Sequence, residues 1–198
     1  MTSPKRSATI KRETNETSIR LELNIDGKGN AKIKTGVPFL DHMLTLFTVH
    51  GFFDLNLSAT GDTHIDDHHT VEDIGICLGQ AFKEAMPGFK GVSRYGNFNL
   101  PMDETLAKIS LDLCNRPFLH YDVIPLDAKT GTFDTTLAEE FFRAFAFNCG
   151  MTLHVEVNYG QNSHHVLEAI FKGLGRALDR ASQLEPRTSN ALSSKGVL

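Results

Sequence analysis

One five-residue pattern, His-His-x-x-Glu, occurs twice in this 198-residue chain. The copies are His68-His69-x-x-Glu72 and His164-His165-x-x-Glu168. On a helix, residues four positions apart share a face, so the first histidine and the glutamate of each copy can grip one metal ion. The second histidine points about 100° away around the helix and cannot easily reach the same ion. The pattern therefore predicts two metal sites; the alternative is two pairs of surface histidines.

The two copies lie at the start of the last helix in two similar stretches of chain, which predicts a duplicated unit. Apolar residues alternate in the predicted strands and recur every three to four residues in the predicted helices. The predicted strands are 18–25, 31–35, 54–60, 105–113, 118–124 and 151–157, and the predicted helices are 38–51, 68–86, 136–149 and 163–183. A hairpin turn at 26–30 is expected to join the first two strands. We predict an α+β fold, a duplicated sheet-and-helix unit with pseudo-twofold symmetry, with halves 1–91 and 92–198 that form one compact unit. The tail from Glu185 is expected to be irregular.

Two more candidate ligands occupy nearly equivalent places on the shorter helices, His42 before Gly51 and Glu140 before Gly150. We predict that one ion takes His42, His69, His164 and Glu168, and that the other takes His68, Glu72, Glu140 and His165. Nitrogen and oxygen ligands without cysteine suit Mn²⁺, although ligand type alone leaves Zn²⁺ and Fe²⁺ open. Asp66 and Asp67, just before the first motif, are either part of a ligand-rich loop or helix caps.

Composition excludes several classes of protein. A formal net charge of −4 argues against a general nucleic-acid binder. The chain has no apolar run near the roughly 20 residues of a membrane-spanning helix, and its first 14 residues lack the apolar segment of a secretory signal. Its three cysteines are scattered, which favours a reducing compartment. We therefore expect a cytoplasmic protein without a nucleic-acid or membrane partner.

Several longer blocks resemble the imidazoleglycerol-phosphate dehydratase family. They are Phe39-Leu40-Asp41-His42-Met43, the segment Gly61 to Asp73, Pro101-Met102-Asp103-Glu104, Asn162-Ser163-His164-His165 and Ser193-Ser194-Lys195-Gly196. They occur in the family's order from about Arg6 to Leu198. The resemblance implies β-sheets packed outside a central helical bundle, two Mn²⁺ ions per active site and a homo-oligomer of 24 subunits with sites at subunit interfaces.

The resemblance also implies the reaction, which is the dehydration of imidazole glycerol phosphate to imidazole acetol phosphate in L-histidine biosynthesis. A metal on each ring nitrogen favours the imidazolate, and this anionic ring can expel the neighbouring hydroxyl group. Many members have Glu-His-Phe where this chain has Glu139-Glu140-Phe141, so a carboxylate replaces a metal-binding histidine. The alternative is that Glu140 faces solvent and that its ion has fewer protein ligands.

The resemblance assigns roles to residues outside the two motifs. Glu16 is implied as the general acid/base, although it could be only an exposed strand-end residue; Asp103 and Glu104 are weaker candidates. His64 is implied to help orient the substrate. The phosphate-binding positions of the family match Arg94, Arg116, Lys172, Ser194 and Lys195. Because Lys195 lies in a tail without helical or strand periodicity, we expect the C-terminus to order onto the ligand.

Two rival functions are compatible with paired metal motifs. A dinuclear metallohydrolase would use a bridging water to attack a phosphate ester, but it does not predict the Ser-Ser-Lys tail. A non-catalytic metal-storage or shell-forming protein would bind metal without any need for Glu16 or the cationic set.

Overall fold

A computed structural model describes residues 6–196 and 198 of the chain. Ten strands and four helices follow in the order β1 Ser7–Glu13, β2 Thr17–Asn24, β3 Ala31–Lys34, α1 Pro38–Gly51, β4 Asp54–Gly61, α2 His68–Ala85, β5 Tyr95–Met102, β6 Thr105–Leu113, β7 Phe118–Val123, β8 Lys129–Thr130, β9 Phe133–Asp134, α3 Leu137–Cys149, β10 Met151–Val157 and α4 Ser163–Ser182. The predicted α+β fold with two sheet-and-helix units is confirmed. None of the helices in the described part of the chain is long and apolar enough to cross a membrane.

Each half contributes a four-stranded sheet that covers one side of the helices. The first sheet has the order β1-β2-β4-β3 and the second the order β5-β6-β10-β7, so the two sheets repeat one topology. In the first sheet β4 and β3 are parallel, and in the second β10 and β7 are parallel; the other neighbouring strands are antiparallel. Alternate residues along β2 and β10 are buried, as expected for strands with one face on a core. One face of each sheet therefore packs on the helices and the other faces outward.

The predicted hairpin between β2 and β3 is wrong, because β4 lies between these two strands and β3 pairs with it in parallel. The turn that looked like a hairpin is held instead by Asp54 at the start of β4. The Asp54 carboxylate accepts hydrogen bonds from the backbone N–H groups of Lys28 and Asn30, at 2.9 and 3.0 Å. The turn residues thus direct the chain across the end of β4 rather than straight back along β2.

Four strands were not predicted, namely β1, β5 and the two-residue strands β8 and β9. Apolar and polar residues alternate only weakly along β1, whose buried residues are Ala8 and Ile10. β5 contains two asparagines, a glycine and Pro101, all unusual in strands. It is an edge strand, which is one of the places in a sheet where a proline is tolerated because it need not remove a ladder hydrogen bond.

The helices cross between the two halves, since α1 packs chiefly against α4 and α2 against α3. Both crossings are close, because each has a glycine at the contact point. A Cβ atom placed on Gly175 of α4 would lie 2.5 Å from the carbonyl oxygen of Phe47 in α1, and one on Gly79 of α2 would lie 2.6 Å from that of Phe145 in α3. Aromatic rings fill the centre, where Phe47, Phe82 and Phe145 contact one another.

The C-terminal tail has no helix or strand in its described part, as predicted. It is held against the body of the protein by an isolated β-bridge between Lys90 and Ala191. Arg94 adds a hydrogen bond from its guanidinium group to the carbonyl oxygen of Leu192. The tail is therefore placed beside the start of β5.

Candidate metal centre

The α1–α4 crossing brings together three potential metal ligands, His42 of α1 and His164 and Glu168 of α4. Their ligand atoms lie within 4.8 Å of one another. Nε2 of His164 is 3.2 Å and Nε2 of His42 is 3.7 Å from the same Glu168 oxygen, Oε2. Two imidazole nitrogens and a carboxylate oxygen thus converge, as the spacing of the motif predicted for His164 and Glu168.

Glu168 is nearly buried, with 8% of its surface exposed. Burial alone would raise the pKa of its carboxyl group, but the Lys172 ammonium group and His164 outweigh it, so this pKa lies below its ordinary value. Lys172 lies one turn further along α4 and contacts the other carboxylate oxygen, Oε1. A negatively charged Glu168 with one oxygen towards the histidines is suited to bind a cation there.

The α2–α3 crossing carries the equivalent residues but a more open arrangement. On α2, Nε2 of His68 lies 3.6 Å from a carboxylate oxygen of Glu72, so this pair shares a face as predicted. Glu140 of α3 lies 3.7 Å from the guanidinium group of Arg143. Among the described residues Glu140 belongs to no group of three ligands within 4.8 Å. The structure therefore brings two of these three residues together.

The second histidine of the first motif contacts a different set of side chains. Nδ1 of His69 lies 3.0 and 3.2 Å from the two carboxylate oxygens of Asp62, which follows β4 directly. Glu16, in the turn between β1 and β2, has a carboxylate oxygen 3.8 Å from the same nitrogen. The hydrogen bond to Asp62 raises the pKa of the His69 imidazole.

The second histidine of the other motif has a similar environment. Nδ1 of His165 lies 2.9 Å from Oε2 of Glu104, which is in the turn between β5 and β6. The other oxygen of Glu104 accepts hydrogen bonds from the backbone N–H groups of Gln161 and Asn162, at 3.1 and 2.9 Å. His165 and these backbone groups lower the pKa of Glu104 to about 2, and Glu104 raises that of His165.

Adjacent histidines in each motif point to different places, as predicted. The planes of the His68 and His69 rings make an angle of 83°, and those of His164 and His165 an angle of 88°. Each predicted four-ligand set is consequently divided in a single chain. The first set has three members together and His69 apart from them, and the second has the His68–Glu72 pair together and His165 apart.

Four of the five predicted phosphate-binding residues line one cavity of about 860 Å³, namely Arg94, Arg116, Ser194 and Lys195. Arg94 is 7% exposed and binds both carboxylate oxygens of Asp112, at 2.6 and 2.9 Å. Arg116 is much more exposed, and Asp112 lies 3.6 Å from it. Arg94 therefore holds the cavity wall and the tail, while Arg116 and Lys195 present exposed positive charge to the cavity.

Lys172, the fifth predicted phosphate ligand, lies beside Glu168 and far from this cavity. The cavity begins where the backbone N–H of Arg94 donates to the carbonyl oxygen of Ala181, near the end of α4. At 1.5 Å per residue, Ala181 is roughly 26 Å along the helix from His164. Within one chain, the cationic cavity and the α1–α4 ligand group thus lie at opposite ends of α4.

The two predicted substrate-contacting residues are both on exposed turns. Glu16 is exposed beside His69, and His64 is exposed in the loop that leads to α2. Asp66 accepts a hydrogen bond from the backbone N–H of His68, so it caps the helix in this structure. Asp67, at the cap position itself, makes no such bond with its side chain.

Sequence reasoning missed the partners of His69 and His165. The sequence pattern predicts no individual role for Asp62, and for Glu104 only that of a weak acid/base candidate. A signal was present, because Glu16 and Glu104 each stand directly before a buried threonine that begins a strand, Thr17 or Thr105. This common position would have placed both glutamates at the same end of their sheets as the motifs.

Histidine nitrogens and carboxylate oxygens form all of these groups. The three cysteines are buried elsewhere. This donor set fits a Mn²⁺-type ion better than a thiolate-preferring metal. The fold and the site thus define a class of two-unit α+β proteins, in which helices from both halves carry paired His-His-x-x-Glu motifs.

Comparison with known proteins identifies the family within this class. A family model described as imidazoleglycerol-phosphate dehydratase matches residues 35–178. Proteins of that name from Pelobacter propionicus and Geobacillus thermodenitrificans are 58% and 56% identical to the chain, each over 98% of it and 99% of the relative. The chain belongs to the imidazoleglycerol-phosphate dehydratase family, and it is accordingly a hydro-lyase of histidine biosynthesis.

Solved structures agree with this assignment. The crystal structure of imidazoleglycerol-phosphate dehydratase from Staphylococcus aureus covers 90% of this chain and 99% of its own, with a TM-score of 0.82 and 42% identity. The structure of IGPD from Pyrococcus furiosus in complex with (S)-C348 covers 96% and 100%, with a TM-score of 0.83 and 37% identity. These are similarities over nearly complete chains, so the whole two-unit fold is shared.

Proposed function

We propose that this protein removes water from imidazole glycerol phosphate to give imidazole acetol phosphate, with two Mn²⁺ ions in each active site. Membership of the family supplies the substrate class. The observation that carries the metal-dependent part is the convergence of His42, His164 and Glu168 across the two halves of the chain. The α2–α3 crossing is proposed to carry the second site with His68, Glu72 and Glu140, and the closeness of His68 to Glu72 supports it.

The active site is proposed to be shared between copies of the chain. His69 and His165 complete the two ligand sets, and in a single chain both lie apart from the residues they would join. The cationic cavity also lies roughly 26 Å along α4 from His164. A substrate with one imidazole ring and a three-carbon phosphorylated chain is far shorter than this distance. One copy would therefore supply the metal ligands and another the Arg116–Lys195 cavity, in an assembly for which we propose 24 subunits.

Two Mn²⁺ ions held by these ligand sets would act as Lewis acids towards the substrate's imidazole ring, since a bound cation lowers the pKa of the group it coordinates. They would thereby favour loss of the neighbouring hydroxyl group, which would leave as water with the ring proton. Glu16 is proposed to take the proton from the next carbon and later to return a proton as the enol becomes a ketone. Its exposed carboxylate beside His69 supports this role, because it lies next to a proposed metal ligand and remains free to move a proton.

The remaining residues are proposed to bind and orient the substrate. Arg116 and Lys195 supply charge for the phosphate group, and Ser194 supplies a hydroxyl donor. Arg94 holds the tail that carries Ser194 and Lys195. Lys172 lies beside Glu168, where it can reach the phosphate of a substrate bound at the α1–α4 site. His64 is free in its loop to contact the substrate.

Metal content and turnover test the proposal together. Saturated protein should hold about two Mn²⁺ per chain by elemental analysis, and His164→Ala and His68→Ala should each lose one ion. Lys108→Ala, on the outward face of β6, serves as a control that retains both ions. One ion per chain at saturation in the unaltered protein contradicts the dinuclear site.

The alternative function, a dinuclear metallohydrolase acting on a phosphate ester, is tested with the same preparations. The loaded protein should form imidazole acetol phosphate from imidazole glycerol phosphate without release of inorganic phosphate. Phosphate release in place of dehydration would favour the hydrolase. Metal binding with neither activity would favour a storage protein.

A further inference from the structure

The second histidine of each motif is held by a carboxylate from outside its helix. Asp62 reaches Nδ1 of His69 from the end of β4, and Glu104 reaches Nδ1 of His165 from the β5–β6 turn. Both residues are themselves held in place, Asp62 through its backbone and Glu104 through its carboxylate. The backbone N–H of Asp62 donates to the carbonyl oxygen of Glu16 at 3.1 Å, and Glu104 accepts from two backbone N–H groups.

These contacts decide which ring nitrogen is available. An ionised carboxylate only accepts hydrogen bonds, so Nδ1 of each histidine must carry the proton. In the neutral ring, Nε2 then keeps its lone pair and points away from the carboxylate. A histidine held in this way is oriented and made more basic for a metal at Nε2.

The two halves achieve this result with residues that are not equivalent. Glu104 corresponds to Glu16, because each directly precedes the buried threonine that begins the inner strand of its hairpin. The loop that contains Asp62 corresponds to residues 158–162, since each leads from the last strand of its half, β4 or β10, to the helix that begins with the motif, α2 or α4. Residues 158–162 are Asn, Tyr, Gly, Gln and Asn, so this loop has no acidic residue.

This difference separates the roles of the two equivalent glutamates. In the second half, Glu104 holds the histidine at 2.9 Å, and Asp103 comes no closer to it than 3.9 Å. In the first half Asp62 holds the histidine, and the carboxylate of Glu16 stands off at 3.8 Å. Because Asp62 makes the hydrogen bond to His69, the carboxylate of Glu16 is not used to hold this histidine.

We propose that Asp62 and Glu104 are positioning residues that fix His69 and His165 with Nε2 free to bind metal, and that Asp62 thereby releases Glu16 for contact with the substrate. This inference rests on the proposed function, in which His69 and His165 are metal ligands. Under this proposal Glu104 orients the His165 ring and is not the general acid/base.

The test measures Mn²⁺ affinity by competition with a chelator, in the full-length protein and without any assay of turnover. Asp62→Ala and Glu104→Ala should each weaken one class of site by about 10- to 100-fold. Asp62→Asn retains an accepting oxygen and should recover most of the affinity. Asp103→Asn is the matched control. It removes a negative charge next to Glu104, but the Asp103 carboxylate lies 3.9 Å from His165 and does not hold the ring. The Mn²⁺ affinity of this variant should therefore stay within about twofold of that of the original protein.

A double-mutant cycle separates positioning from a general effect on the fold, because Glu104 also holds the 161–162 loop. If Glu104 acts through His165, Glu104→Ala should weaken metal binding strongly in the original protein and hardly at all in the His165→Ala background. The same holds for Asp62 and His69. Equal losses in both backgrounds would overturn the inference.

Two further outcomes distinguish this inference from the proposed function. If the two histidine variants lose metal while Asp62→Ala and Glu104→Ala bind like the original protein, the positioning role is wrong and the ligand sets stand. If His69→Ala and His165→Ala both bind metal like the original protein, the ligand sets themselves are wrong and the inference falls with them.

Discussion

The closeness of the α1–α4 crossing gives a prediction for Gly175→Ala. The new Cβ would lie 2.5 Å from the carbonyl oxygen of Phe47, whereas C···O contacts ordinarily lie at about 3.3 Å or more. The obstacle is helix backbone and cannot rotate away. We therefore expect α1 and α4 to separate by roughly 0.8 Å at the crossing.

Two opposing terms set the size of the effect on stability. Alanine in place of glycine within a helix contributes about 1 kcal/mol of favourable helix propensity. Overpacking against a rigid neighbour costs about 1–3 kcal/mol. The expected result is a net loss of up to about 2 kcal/mol in the free energy of unfolding, or a fall in melting temperature of up to about 8 °C for a chain of this size.

Gly173→Ala is the matched control, because it lies on the same helix and gains the same propensity. Its Cβ would lie 2.9 Å from Cγ1 of Ile109, a side-chain atom that can shift. Comparison of the two variants therefore cancels the propensity term. Both are measured by thermal and urea unfolding in excess chelator at one protein concentration, so that neither metal nor assembly contributes.

The same variant should also affect the ligand group, because His42 is on α1 and Glu168 on α4. A separation of roughly 0.8 Å is large against the 3.7 Å between His42 Nε2 and the Glu168 carboxylate. Gly175→Ala should weaken Mn²⁺ binding at the α1–α4 site and leave the α2–α3 site unaltered. The reasoning is refuted if Gly175→Ala is as stable as Gly173→Ala and binds metal like the original protein.

Three other predictions follow from the fold. Cys77 and Cys149 are buried, and burial raises their pKa values to about 11 and about 12. Ellman's reagent at pH 8 should therefore label neither thiol in the native protein. Fast labelling of both would contradict this prediction. The unfolded thiols lose their protons near pH 9, whereas the folded thiols keep theirs. The free energy of unfolding should therefore fall as the pH rises from about 9 to about 11, and this fall should be smaller in Cys77→Ala. Truncation after Thr188 should leave folding and metal content intact and lower kcat/KM sharply, since Ser194 and Lys195 are lost from the cationic cavity; unchanged kinetics would show that the tail does not contact substrate. Chelation should convert a large particle into smaller ones in analytical ultracentrifugation, and an unchanged sedimentation coefficient would contradict assembly through shared metal sites.

The elements that carry the motifs could be predicted from the sequence almost to the residue. The predicted strands 105–113 and 151–157 coincide with β6 and β10, and α2 and α4 end within one residue of their predicted ends. These segments have strong periodicity and clear turn residues at their ends. The divergence of neighbouring histidines followed from helix geometry alone.

Contacts between distant parts of the chain could not be predicted in this way. The partner of β3 depends on a strand that comes twenty residues later, and no local pattern distinguishes it from β2. Glu104 and His165 meet only because β6 and α4 pack together. Lys172 resembled the other cations in type, but its place on α4 puts it beside Glu168 rather than in their cavity.

The crossing of helices between halves has a consequence for the ancestry of this protein. A polypeptide with one unit would possess counterparts of α1 and α2 but not the helix against which each of them packs. Such an ancestor would form either ligand group only as a pair of molecules, each lending a helix to the other. Fusion of two such units would make that pairing permanent within one chain. It would also let equivalent positions differ, as His42 differs from Glu140 and as Asp62 lacks an acidic counterpart.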